Sequence, residues 1–487
     1  MGYQLHFIQL EAIVVVLGLL VLLADLFISE SARRSLGYVA AGSLCLVFLL
    51  SFHGSYVALA DGKAFGGIYR LDGLALFFKR FFLLTAIFVL VFAVDFASRL
   101  KGGVSEYLAF ILFALSGMMF ASSANDFSLL FVSIELITVT FYILVSFQRH
   151  RMHSLEAGVK YLILGAVSSA FLVYGIALVF GEAGSLKFDV IRAAHAGLLG
   201  SNVFLFGMLF VFAGLAFKIS AFPFQVWAPD VYQGAPTPTT TFLAVGSKAA
   251  GFVLLIRLFG SVVPELTAQW TSMLMVVAAL TILYGNLCAL PQRNLKRLLA
   301  YSGIANAGYL LMGIVAQSGD GTAAILYYLA GYLFTLVAAF MIINLLTREG
   351  EGEDISCLAG LNKRSPFLAV ALTLCAVSLA GIPPLAGFFG KFLLVKSVAA
   401  KAFGDAGYFA LLAVAVFGVV VSIYYYFGII RTIYWSKDTP DNSPVAIAWP
   451  TRIVLGLCVA AILYLGLLPN KPINWANAAA KIETVAK

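Results

Sequence analysis

Four ionisable side chains stand where an apolar chain has no ordinary use for them. Glu135 lies near the middle of DFSLLFVSIELITVTFYILVSF, Lys218 just before a proline-broken stretch, Lys248 at the centre of TFLAVGSKAAGFVLLIRL, and Lys391 in GFFGKFLLVKS. A lysine or aspartate at the centre of a membrane span costs about 2.5–3.5 kcal/mol on insertion scales, so such residues face a protein interior or water and are functional by default. A carboxylate beside a lysine stays charged, and a desolvated lysine loses proton affinity. A row of such groups therefore changes protonation when a neighbour's charge changes, which is what a proton relay requires. The competing reading, sharpest for Glu135 with Lys218, is an interhelical ion pair that only fixes packing. Lys248 has the small neighbours Gly246, Ser247, Ala249, Ala250 and Gly251, which leave room for water or for a close helix. Lys160, in EAGVKYLILG, lies nearer a helix end, where a relay role and simple snorkelling are both open. Lys79, Arg80, Asp95 and Arg257 read as helix-end groups that snorkel or meet lipid, and Lys396 as the approach from Lys391 to the outer surface.

The elements that must hold these residues are membrane helices. Of the 487 residues, 62% are hydrophobic and only 11% charged. A soluble domain runs at roughly 45–50% apolar and about 25% charged, so an ordinary globular protein is excluded. Runs such as Glu11–Leu23, Phe81–Val94 and Leu411–Ile430 recur along the whole chain, and about 20 mostly apolar residues cross a hydrocarbon core. The spacing predicts an all-α membrane protein of about fourteen transmembrane helices: 9–28, 36–52, 73–95, 104–122, 127–147, 157–180, 202–231, 237–260, 271–290, 300–316, 322–346, 366–402, 407–431 and 449–468. The N-terminus has neither a charged leader nor a small-residue cleavage site, so the first run is expected to be a retained span.

One alternating set of loops carries Arg33, Arg34, Arg99, Lys101, Arg149, Arg151, Arg293, Lys296, Arg297, Arg348, Lys363, Arg364, Arg431 and Lys437. The opposite set carries only Lys63, Arg70, Lys187, Arg192 and Lys401. The first set is expected on the cytoplasmic side, with both termini on the other. The same distribution accounts for the net charge of +8 without nucleic acid, since no basic tract with interleaved aromatics occurs.

Two expected spans carry breakers in their middle: Gly214–Gln233, with Pro223 and Pro229, and Ser378–Lys396, with Gly381, Pro383, Pro384, Gly387 and Gly390. Proline removes a ladder hydrogen bond, and carbonyls freed at membrane depth are tolerable only beside protein or water. The breaks fall in the seventh and twelfth spans. A repeat of five crossings is odd in number, so its second copy is inverted, and interrupted helices at matching positions point to a transport path near the midplane. Plain proline kinks are the alternative. The expected organisation is 1–103 (helices 1–3), 104–260 (first inverted repeat, helices 4–8), 271–434 (second inverted repeat, helices 9–13) and 449–487 (last helix and tail).

Missing patterns narrow the chemistry. The five cysteines lie far apart with no C-x-x-C, and the five histidines fall in loops or at helix ends, so neither set forms a haem, zinc or cluster site. There is no G-x-x-x-x-G-K-[ST] nucleotide loop. A proton path of this kind draws on an ion gradient or on a partner.

The stretch AFKISAFPFQVWAPDVYQGAPTPTTTFLAVGSKAAGF (216–252) resembles the hallmark region of the antiporter-like membrane subunits of proton-translocating NADH–quinone oxidoreductase, respiratory complex I. PDVYQGAPTP (229–238) is similar to the subunit N branch, the bacterial counterpart of mitochondrial subunit 2, rather than to its paralogues L and M. QRNLKRLLAYSGIANAGYLLMG (292–313), EAGVKYLILGAVSSAFLVYGIAL (156–178) and AGIPPLAGFFGKF (380–392) fit the same pattern in order and spacing. The resemblance covers most of residues 125–400; the ends support it by hydropathy alone.

The resemblance implies a role for each position. Glu135 on the fifth span is the carboxylate partner of Lys218 on the broken seventh, Lys248 links the two half-channels, and Lys391 on the broken twelfth faces the exit. A lysine at 391, where subunit M carries glutamate, and a short C-terminus ending in ETVAK both fit subunit N. Lys160 and Lys296 match further basic positions of the family. A non-redox subunit of a translocase is implied, with no cofactor of its own. NAD, FMN, iron–sulfur clusters and quinone are expected in partner subunits, other membrane-arm subunits and phospholipids as partners, and the bacterial inner membrane as location. Two other readings stay open: a subunit of a multi-subunit sodium–proton antiporter, and a structural scaffold of the membrane arm.

Overall fold

The computed structural model describes residues 2–54, 56, 62–347, 353–436 and 444–481; Arg348, Lys437 and the ETVAK tail lie outside them. Helix dominates throughout. Eleven helices among the described residues are both long and apolar enough to cross a membrane. Three further expected spans fall below that length: Gln9–Asp25, Ser35–Leu50, and the broken pair Pro366–Ala380 and Ala386–Ala402. The first two helices are 17 and 16 residues long, and the third is cut by its Gly-Ile-Pro-Pro turn.

Helix starts are written in the local sequence. Asp72, Asp126, Ser201, Asn294 and Ser318 each accept a hydrogen bond from a backbone amide three residues on, at 2.8–3.2 Å. That satisfies one of the donors a helix N-terminus leaves open.

Two compact units make up the chain. The first comprises residues 1–220, 234–270 and 478–487. In it the helices Met152–Ala183 and Asn202–Ile219 lie closely side by side. Glycines set that spacing: a Cβ on Gly175 would sit 2.6 Å from the Gly207 carbonyl oxygen, so only bare backbones fit. Helix Thr237–Gly260 has a wholly buried apolar window, while that of Met152–Ala183 is only 28% buried, so the latter turns a broad apolar face outward. An antiparallel hairpin, Gly62–Ala64 with Tyr69–Leu71, precedes helix Gly73–Phe96.

The second unit comprises 221–233 and 271–477. Helices Thr271–Ala289 and Leu295–Val315 pack closely, and Leu295–Val315 and Gly319–Leu346 are its most buried spans. A short helix, Asn470–Ala480, follows the last span, where only a tail was expected.

Both expected helix breaks are present. Helix Asn202–Ile219 ends at Ser220 in the left-handed conformation (φ 61°), and the chain runs irregularly until Ala228. Helix Pro366–Ala380 ends at Gly381 (φ 83°) and resumes at Ala386. Each break contains one cis X–Pro bond, Phe222–Pro223 and Pro383–Pro384.

Candidate proton-relay site

The first unit holds the buried Lys218 and Lys248 and the half-buried Glu135. Lys218 lies in the last turn of its helix, where a cation meets the negative end of the helix dipole. It is 6% exposed. Its ammonium donates to the Thr138 hydroxyl, which donates in turn to the Ile134 carbonyl at 2.6 Å. Thr138 stands one turn beyond Glu135 on the helix Phe127–Val145, so Lys218 docks on the helix that carries the carboxylate. The Glu135 charge acts on Lys218 through space. The Glu135 carboxylate accepts from Ser169 Oγ at 2.5 Å, on the neighbouring helix. Ser169 and Thr138 are thus the hydrogen-bonding partners of the two charges. Sequence reasoning did not single them out, because a hydroxyl in a membrane helix usually bonds its own preceding turn.

Lys248 is 2% exposed and opens the helix Lys248–Arg257 directly after a π-helical turn, Leu243–Ser247. Such turns are rare and frequent at functional sites. Its small neighbours serve close helix packing. Met118 Sδ would stand 2.8 Å from a Cβ on Gly246, and Ile219 Cγ2 would stand 2.6 Å from one on Gly251. Lys218 Cβ lies 3.4 Å from that same Gly251 position, which places the two lysines on adjoining faces of packed helices. Lys160 stands apart. It pairs with Glu156 at 2.7 Å, one turn earlier on its own helix, with both side chains substantially exposed.

The second unit holds Lys391, 5% exposed. Its ammonium donates to the carbonyls of Leu379 (2.8 Å) and Ala380 (3.3 Å), the open C-terminal acceptors of the broken helix, and lies 4.9 Å from the centre of the Tyr309 ring. The break therefore creates the seat of the lysine. A buried chain of hydroxyls and amides lies in the same unit. Tyr328 donates to Asn306 Oδ1 at 2.7 Å, the Asn306 amide reaches Ser302 Oγ, and Ser302 meets the Tyr426 hydroxyl. Asn306 in mid-helix was the available signal for it. Lys396, exposed, lines a cleft of about 220 Å³ with Asp320 and Lys401. Lys296 is 4% exposed and pairs with Glu353 at 2.9 Å.

Two residues read as helix-end groups take a different place. Lys79 does not snorkel: it is fully buried and paired with Glu11, which is equally buried, and it also meets the Tyr69 hydroxyl. Arg257 does not meet lipid. Its guanidinium makes a two-pronged bond to Asp72 at 2.8 and 3.0 Å and donates to the Ser122 carbonyl at 2.6 Å. Burial alone would raise the Asp72 carboxyl; Arg257, the Ala75 amide and Arg70 outweigh it and hold the group below its ordinary value of 3.8. Periodicity cannot show such pairing, because the charged partners are 68 and 185 residues apart.

Residues 124–422 match the family described as NADH:quinone oxidoreductase/Mrp antiporter, TM. NADH-quinone oxidoreductase subunit N of Moorella thermoacetica is 38% identical over 473 residues, covering 97% of this chain and 98% of its own. A chain of respiratory complex I from Thermus thermophilus superimposes with a TM-score of 0.79 at 30% identity, over 96% of this chain and 99% of that one. A chain of the Mrp complex from a Dietzia species gives 0.82 at 20% identity over 97% and 96%, a likeness of fold alone. Glu135, Lys160, Lys218, Lys248, Lys296 and Lys391 all fall inside the matched segment, whereas Glu11, Tyr69 and Lys79 precede it. With buried lysines seated at two helix breaks and similarity over nearly the whole length, the chain belongs to the NADH-quinone oxidoreductase subunit N family of antiporter-like, multi-pass membrane proteins.

Proposed function

We propose that this chain moves protons across the bacterial inner membrane as a non-redox, antiporter-like subunit of NADH–quinone oxidoreductase, through Glu135, Lys218, Lys248 and Lys391. NAD, FMN, iron–sulfur clusters and quinone belong to partner subunits in this reading. The observation that carries it is Lys218. It is a buried cation at the end of a broken helix, held by a hydroxyl on the helix of Glu135 and within reach of that carboxylate's charge.

Quinone reduction in a partner alters the charge facing the chain. Because Lys218 is tied to Thr138, a small displacement of either helix tightens or loosens the electrostatic interaction without breaking a covalent or cap contact. A change at Lys218 alters the proton affinity of Lys248 across the Gly251 contact, and Lys391 passes the proton toward the outer side. Moving one charge against 100 mV takes about 2.3 kcal/mol. One pKa unit corresponds to about 1.36 kcal/mol, so a swing of a few units in a buried lysine suffices. Lys160, paired and exposed, serves as an entry group or a partner contact. The segments 104–260 and 271–434 act as inverted halves in this scheme.

Replacing Lys218 by Met removes the charge and keeps the stem. Proton uptake per electron pair by inverted membrane vesicles respiring on NADH should fall, with assembled complex still present. Unchanged stoichiometry would overturn the relay role of Lys218. The matched family, whose description names the Mrp antiporter beside NADH:quinone oxidoreductase, supports a second reading, a subunit of a multi-subunit sodium–proton antiporter. In that case the chain works from an ion gradient with no redox partner.

A further inference from the structure

Unit 1 holds a second Glu–Lys pair, tighter than Glu135 with Lys218 and outside the segment that matches the family. Lys79 meets both the Glu11 carboxylate and the Tyr69 hydroxyl, and Tyr69 donates to Glu11 Oε1 at 2.9 Å and lies within 2.9 Å of the Phe7 carbonyl. Lys79 and Glu11 have no exposed surface. Three elements supply the group: helix Gln9–Asp25, strand Tyr69–Leu71 and helix Gly73–Phe96.

A buried ion pair contributes little net stability over a well-packed apolar pair, so packing alone does not explain it. One atom argues against a purely structural pin. Glu11 Oε2 is buried and has no hydrogen-bond partner among the described residues. Buried polar atoms are in the large majority hydrogen-bonded, so an open Oε2 goes beyond what a lock between two helices requires. A free, buried oxygen is where a proton can be received.

The surroundings give the group two outlets. On one side Tyr56, within reach of the Glu11 charge, donates to the exposed Gln9. On the inner side, Lys79 feels the charges of Asp72 and Arg257. Asp72 is bound by Arg257, and Arg257 ends the helix that Lys248 begins, nine residues or about 13.5 Å away. The titratable and charged groups facing the pair are therefore Tyr56, Tyr69, Arg70, Asp72 and Arg257.

We propose that Glu11, with Tyr69 and Lys79, is a proton-release station at the end of unit 1 that lies away from the loops bearing Arg33, Arg99 and Arg149. A proton arriving from the Lys248 helix settles on Glu11 Oε2. An N–H bond of the Lys248 ammonium breaks and an O–H bond forms on Glu11, so the ion pair becomes a neutral acid beside an ammonium; that O–H bond breaks as the proton leaves to water past Gln9 and Tyr56 and the pair re-forms. This rests on the proton-translocation reading above.

The test uses the whole complex in inverted membrane vesicles, comparing Glu11→Gln and the double variant Glu11→Gln/Lys79→Met with Lys248→Met. Assembly, NADH-driven proton uptake per electron pair, and the redox-induced infrared difference band of a protonated carboxyl are measured together. Both cluster variants should assemble, their proton stoichiometry should fall towards that of Lys248→Met, and the carboxyl band should disappear. Lowered stoichiometry in Lys248→Met alone overturns the station and leaves the relay standing. Unchanged stoichiometry in all three overturns the translocation reading itself. Failure of both cluster variants to assemble shows a structural pin, and also overturns the station.

Discussion

At the scale of single residues, charge inside the membrane fixes where to look but not what each charge touches. Lys391 shows the difference. Its number in the sequence follows a helix breaker, and the structure makes the breaker its binding site, since the ammonium caps the Leu379 and Ala380 carbonyls. Gly381 permits this twice over. Its φ of 83° is one that L side chains rarely adopt, and a Cβ there would stand 2.9 Å from Lys391 Cδ. Gly381→Ala should therefore cost about 1–3 kcal/mol from backbone conformation alone and push the lysine off its carbonyls. A lowered thermal midpoint of the purified complex, together with reduced proton stoichiometry, is the expected result. A variant with wild-type values in both would show that neither the turn nor the seat depends on glycine.

At the scale of elements, the hairpin Gly62–Leu71 is tied to the helices by polar bonds. The hairpin is held to the 122–126 turn by Arg70 N to Ser123 O and Asn125 N to Ile68 O, both at 2.9 Å. Asp72 joins the start of helix Gly73–Phe96 to Arg257, at the end of helix Lys248–Arg257, and to Arg70 in the hairpin. Removing one partner of such a buried pair costs about 3–5 kcal/mol, so Asp72→Asn should lower the unfolding midpoint in detergent at neutral pH. The sign of its pH dependence follows from the lowered pKa. A carboxyl whose folded value is depressed gives stability that is fully present above its unfolded value and is lost as pH falls through the folded one. The gap between wild type and variant should hold from neutral pH down to near 3.8 and close only below it. A gap that narrows already above pH 5 (about one unit higher) contradicts the pairing.

At the scale of the whole molecule, the chain carries an apolar exterior and no motif for nucleotide or redox chemistry. Helices Met152–Ala183 and Ala406–Trp435 each have an apolar window only 28% buried, surface for lipid or neighbouring subunits. The two readings of its function differ in the company the chain keeps. Mild-detergent purification through a tag on this chain should bring down flavin- and iron–sulfur-containing subunits with NADH–quinone reductase activity. Co-purification with other membrane subunits alone, and no reductase, would favour the sodium–proton antiporter.

The sequence by itself determined the class, the approximate spans, both helix breaks and the candidates Glu135, Lys218, Lys248 and Lys391. Hydropathy, proline and an isolated charge are local properties, legible over a window of about twenty residues. It gave Lys79 only as a helix-end group and did not single out Glu11 as a charge. Pairing is a long-range property, and a lysine near a helix end looks the same whether it reaches for water or for a buried carboxylate. Only the tertiary structure decided that Lys79 turns inward to Glu11, that Arg257 holds Asp72, that Ser169 and Thr138 stand beside Glu135 and Lys218, and that Lys160 faces outward. A desolvated charge is held only by partners folding brings to it, here from helices and a hairpin far apart in the chain.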